Sequence, residues 1–66
     1  MIDEDKAMEI AREELAEDIR KGGMPTLFGY ADHWKASCTF PDRSIPEGHK
    51  PKYIRIDFVD GAVTVI

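Results

Sequence analysis

The dipeptide Asp60-Gly61, set between alternating apolar residues, constrains this chain more than any other feature. A two-residue type I′ hairpin turn needs positive φ at both central positions, and Asp-Gly tolerates that. Placing the pair there matches Val59 with Ala62, Phe58 with Val63, Asp57 with Thr64, Ile56 with Val65 and Arg55 with Ile66. Paired residues share a sheet face. Ile54, Ile56, Phe58, Val63 and Val65 then form one apolar face. Arg55, Asp57 and Thr64 stand on the other, among Tyr53, Val59, Ala62 and Ile66. A slip of one residue would scramble this sorting. The spacing predicts a hairpin over 53–66.

An apolar sheet face needs a cover, and residues 3–21 supply one. Asp3 is a good N-cap, and Glu4 and Asp5 place negative charge at the positive end of a helix dipole. Arg20 and Lys21 lie at the other end, and Gly22-Gly23 provides a left-handed stop. At about 100° per residue, Met8, Ala11, Leu15 and Ile19 form one stripe with Ala7 at its edge. Ile10 projects away from that stripe. Asp18 lies beside it, which reads as a boundary position.

Between helix and hairpin, Trp34–Phe40 alternates as a strand, with Trp34, Ala36, Cys38 and Phe40 facing the core. Leu27, Phe28 and Tyr30 are compatible with a short earlier strand, in which Gly29 is a bulge or a weak point. Residues 41–52 hold three prolines and one apolar residue, Ile45, and read as a loop. Loops of this length are uncommon and often functional. The predicted architecture is a single α+β domain over 1–66. One N-terminal amphipathic helix packs on a three- or four-stranded antiparallel meander ending in the hairpin. The second sheet face is left open to water or to a partner.

Composition narrows the function classes. A chain of 66 residues is marginal without good packing or a partner. One cysteine excludes an intrachain disulfide and fits a reducing compartment. There is no membrane-length apolar run and the first residues are acidic, so the expected location is cytoplasmic. A net charge of −4 argues against direct nucleic-acid binding. His33 stands five positions from Cys38, about 17 Å along an extended strand, too far for a nucleophile–base pair. His33 and His49 could share a metal only if the long loop folds back, and two histidines without a third ligand are a weak signal. No glycine-rich phosphate loop precedes a helix. Neither a cofactor nor an enzymatic role is expected.

The non-random feature that remains is a row of carboxylates. Asp5, Glu9, Glu13 and Glu17 recur every four residues opposite the apolar stripe. Like charges at this spacing repel, and Glu9–Arg12, Glu17–Arg20 and Glu17–Lys21 pairs would offset part of that. The plain reading is a solvated face. The sharper one is a negative strip that docks on a basic protein surface, including one that normally holds nucleic-acid phosphates, with Ile10 as an apolar anchor at its rim. The alternative locus is the loop over 41–52, where Asp42, Arg43, Ile45, Glu47 and His49 would carry recognition.

The order of elements resembles small bacterial immunity-type and PepSY-like α+β domains. The matching stretches are Ile10–Ile19, Trp34-Lys35, and Tyr53-Ile54-Arg55-Ile56-Asp57 with Gly61 and Val63. That resemblance implies a binding or inhibitory module rather than an enzyme. The expected function is a small non-enzymatic inhibitor or antagonist of a protein partner. The runner-up is a structural subunit or homodimer that uses the open sheet face or the last strand.

Overall fold

The structure, a computed structural model, describes residues 1–41 and 48–66. Its elements are α1 (Glu4–Glu14), α2 (Ala16–Arg20), β1 (Met24–Gly29), β2 (His33–Thr39), β3 (Tyr53–Asp57) and β4 (Val63–Val65). The strands form one antiparallel sheet in the order β1-β2-β3-β4, a meander with the helical layer across one face.

The helix forms where its caps place it. Asp3 is extended and its carboxylate accepts from the Lys6 N–H at 2.8 Å. The helix then breaks once, at Leu15, whose φ of −101° and ψ of 17° leave the helical basin. The axis still continues, because Leu15 N–H donates to Ala11 O and Ile19 N–H to Leu15 O. The end is a Schellman motif. Gly22 takes φ 99° and donates to Ile19 O, and Gly23 donates to Asp18 O. Gly23 also allows a close approach: a Cβ there would stand 2.7 Å from Cys38 Cβ.

Ala11 and Leu15 are buried in one cluster with Ala36, Cys38, Ile54 and Ile56, as the stripe and the strand alternation require, and Ala7 is also fully buried. Leu15, Ile54 and Ile56 are the largest fully buried side chains. Each contributes about 1.5–3 kcal/mol by leaving water. Two alanines in the stripe bring the helix close to the sheet. Met8, Ile19, Leu27, Trp34, Phe40 and Val63 pack around this centre.

Three local expectations change. The hairpin register is Ile54↔Val65, Arg55↔Thr64 and Ile56↔Val63, two residues away from the two-residue-turn alignment. Asp57 N–H donates to Ala62 O, which closes a loop over 58–61. Asp57 Oδ1 accepts from the Val59 N–H and Asp60 Oδ1 from the Ala62 N–H. These aspartate turns favour the longer loop, with Gly61 at φ 74°. A shift of two keeps the strand residues on their faces, so Ile54, Ile56 and Val63 still face the core, while Phe58 moves into the loop and meets the Trp34 ring at 4.2 Å. Val65, on the apolar face but in the outer strand, is exposed.

The first strand begins at Met24, earlier than Leu27, and its pairing with β2 runs without a bulge to Gly29↔Trp34. Gly29 serves the indole instead: Trp34 Nε1 lies 3.5 Å from where its Cβ would be. Finally, Ile10 is half-buried and packs against the core cluster, with its Cδ1 3.0 Å from the Cβ position of Gly61. The close-set helix lets the hairpin loop reach past the apolar stripe, and Ile2 and Ile10 fill the gap.

Candidate functional site

Two exposed surfaces and one buried polar knot hold the candidate side chains. The first surface is the outer face of the helix. Asp5, Glu9 and Glu13 stand on α1 and Glu17 on α2, all exposed. Four residues of helix rise about 6 Å, so the row presents a carboxylate at about that interval. Lys6 Nζ lies 3.8 Å from Glu9 and Lys21 Nζ 3.7 Å from Glu17, both at exposed positions worth little. The Glu17–Lys21 pair was expected; Glu9 turns to Lys6 rather than Arg12. A groove of about 450 Å³ runs beside the row, lined by Asp5, Met8, Glu9, Arg12 and Glu13. Residues 1–21 hold eight acidic and four basic side chains, whereas 22–66 hold five of each. The whole net charge therefore belongs to the helical layer and the residues that cap it.

The second surface is the open face of the sheet. Pairing puts Phe28, Lys35, Arg55 and Thr64 in one row across it, and Thr26, Ser37 and Tyr53 in the next. Ile66 N–H donates to Tyr53 O, which sets Ile66 beside Tyr53. A groove of about 250 Å³ is lined by Phe28, Tyr30, Lys35, Ser37 and Tyr53. Lys35 Nζ lies 5.8 Å from the Tyr53 ring centroid, and Tyr30 stacks on His33 at 5.0 Å. At the same end, Asp32 Oδ1 lies 2.6 Å from His33 Nδ1 and Oδ2 lies 3.5 Å from Arg55. The His33 contact first, and the Arg55 charge with it, hold the Asp32 carboxyl below its ordinary value.

The polar knot lies where the helix ends. Asp18 is buried, not at a boundary. Its Oδ1 accepts from His49 Nε2 at 2.6 Å and its Oδ2 from the Lys52 backbone N–H at 2.9 Å. Lys21 Nζ donates to His49 Nδ1 at 3.3 Å, so an imidazole protonated on Nε2 satisfies both contacts. The Phe40 ring meets the His49 ring edge-on at 6.0 Å. Every carboxylate oxygen of Asp18 thus has a donor, which is what a buried charge requires.

Two of the expected partner-binding residues have contacts within the molecule. His49 is held by Asp18 and Lys21 and does not meet His33. Ile10 is engaged with the hairpin loop and Ile2. Asp42, Arg43, Ile45 and Glu47 lie outside the described residues. Cys38 is buried, and burial, with the Asp18 charge second, pushes its thiol pKa up. That suits a small hydrophobe better than a nucleophile. Among the described residues, no group of three His, Cys, Asp or Glu side chains is placed to hold a metal ion, and no helix is long and apolar enough to cross a membrane.

The aromatic groove joins strands that the sequence pattern by itself does not set side by side. The signal present within one segment is parity: Phe28 and Tyr30 keep the same parity as Met24 and Thr26, opposite to Leu27. No protein-family model, curated protein or solved structure matches this chain.

Proposed function

We propose that this chain is a small non-enzymatic binding protein that docks on a protein partner through the acidic outer face of its helix. It acts as an inhibitor or antagonist of a protein whose own surface is basic, of the kind that holds nucleic-acid phosphates. The observation that carries this reading is the segregation of charge. All of the net −4 resides in residues 1–21 and the row Asp5, Glu9, Glu13 and Glu17 is exposed; of the carboxylates off that row, Asp18 is buried with a donor at each oxygen, Asp3 caps the helix and Glu14 faces Lys52. An exposed row of one sign steers a partner of the other sign and accelerates encounter. The resemblance to immunity-type and PepSY-like domains points towards the same class. The cell compartment that fits a single unpaired thiol is the cytoplasm.

The test is a comparison of the parent with a Glu9→Lys/Glu13→Lys variant as bait for proteins of the native host. Both positions are exposed, so the variant should keep the parent's melting temperature within a few degrees. A partner retained by the parent should bind the variant more than about tenfold more weakly. The association rate of the parent should fall as salt rises past physiological strength, where screening acts beyond about 8 Å. A variant that binds the same partner equally well, with the same salt dependence, would mean that the row is only a solvated face.

A further inference from the structure

We infer that the open face of the sheet is the docking surface for a second copy of this chain. The inference is independent of the acidic row, which lies on the other side of the molecule.

Large apolar side chains gather on that face. Met24, Phe28, Tyr30, Tyr53 and Ile66 are between 47% and 67% exposed, and all five sit on it or at its rim. Charge on the face is balanced, with Lys35 and Arg55 against Asp32 and Asp57. A neutral, aromatic face on a molecule of net charge −4 suits another face of the same kind. Stacked sheets lie about 10 Å apart, which would hold the two acidic helical layers roughly 30 Å from each other, far beyond the ~8 Å screening length. Any arrangement that brings a helical layer inward loses that separation.

The size is also adequate. Strands about 4.8 Å apart, about 17–24 Å long in β1 to β3 and about 10 Å in β4, give a face of roughly 340 Å². With side-chain relief this buries on the order of 600 Å² per copy, near the lower end of stable interfaces, which bury about 800 Å² each. A weak, micromolar dimer is the expected product. A twofold arrangement uses the same patch on both copies. It seats the patch of Phe28 and Tyr53, flanking Lys35, against the same patch of the second copy, where aromatic pairs are favourable. Single-stranded nucleic acid also stacks on exposed aromatics, but it follows a basic track. Here Arg55 already faces Asp32 at 3.5 Å, and Lys35, over the Tyr53 ring at 5.8 Å, is a single cation rather than a track.

The experiment is sedimentation equilibrium of the parent from about 1 to 500 µM, beside a Phe28→Ser/Tyr53→Ser variant and Glu9→Lys/Glu13→Lys. The parent should dimerise, with a dissociation constant that changes less than about threefold between low and high salt. The sheet-face variant should dissociate at least ~30-fold more readily while keeping the parent's circular dichroism. The helix variant should dimerise like the parent. A second reading needs no variant. On dilution of labelled parent, amide shifts should concentrate at Thr26–Phe28, Lys35–Ser37 and Tyr53–Arg55. A monomer throughout the range overturns the proposal. So does a dimer that persists in the sheet-face variant, or dilution shifts confined to 63–66 or 5–17. If an oligouridylate of about eight nucleotides shifts the same sheet-face amides in a monomeric protein, the face belongs to bases and the proposal also falls.

Discussion

The Asp18 carboxylate holds the His49 imidazole at 2.6 Å across 31 positions of chain. Neither residue belongs to the apolar pattern of its segment, yet together they fasten the end of the helical layer to the connection between β2 and β3. Lys52 adds its backbone N–H to the other carboxylate oxygen, and its Nζ lies 3.5 Å from Glu14. The long connection is therefore tied down at its second end before it enters β3.

Asp18→Ala should destabilise the domain by about 2–3 kcal/mol, because it leaves the Lys52 N–H and the His49 Nε2–H without their acceptor in a buried place. His49→Ala should cost about 1–2 kcal/mol, since one oxygen of Asp18 then loses its donor. The decisive measurement is a double-mutant cycle by urea unfolding. Coupling of about 1 kcal/mol or more is expected between the pair. Additive single effects would show that the contact does not hold the connection.

Gly61→Val should cost at least about 1 kcal/mol. Two effects act together. Position 61 sits at φ 74°, which a β-branched residue resists, and its Cβ would meet Ile10 Cδ1 at 3.0 Å and Ile2 Cδ1 at 3.4 Å. Adding Ile10→Ala to Gly61→Val should relieve only the crowding. Thermal melts of Gly61→Val, Ile10→Ala and the double variant separate the two causes. An unchanged melting temperature for Gly61→Val would place the turn elsewhere.

Cys38 makes a pH prediction with a definite sign. Its folded pKa is raised above its ordinary value of 9.0, first by burial and then by the Asp18 charge. The fold therefore favours the neutral thiol. This contribution is fully present below pH 9.0 and is lost as pH rises from there through the folded value. Urea midpoints of parent and Cys38→Ala should run parallel up to about pH 9 and then converge, the parent falling faster. A thiol reagent should label native Cys38 at least ~100-fold more slowly than the unfolded chain. Rapid labelling at neutral pH would mean that the thiol is accessible and that this reading of the core is wrong.

Local chemistry determined much of this protein. The N-cap at Asp3, the Gly22-Gly23 stop and the stripe Ala7, Ala11, Leu15 follow from rules that act within one or two turns of chain. The faces of β2 and β3 follow from a period of two. That period is why the hairpin could shift by two residues and still bury Ile54 and Ile56. What only the tertiary structure decided are relations between distant segments. The four-residue loop wins because Asp57 and Asp60 hydrogen-bond its backbone, and Ile10 is covered because the close-set helix lets that loop overhang it. Asp18 is buried because a histidine and a backbone N–H arrive from more than thirty positions away. Phe28, Tyr30 and Tyr53 share a groove because antiparallel pairing sets their strands side by side. No periodicity within one segment encodes which partner another segment will bring.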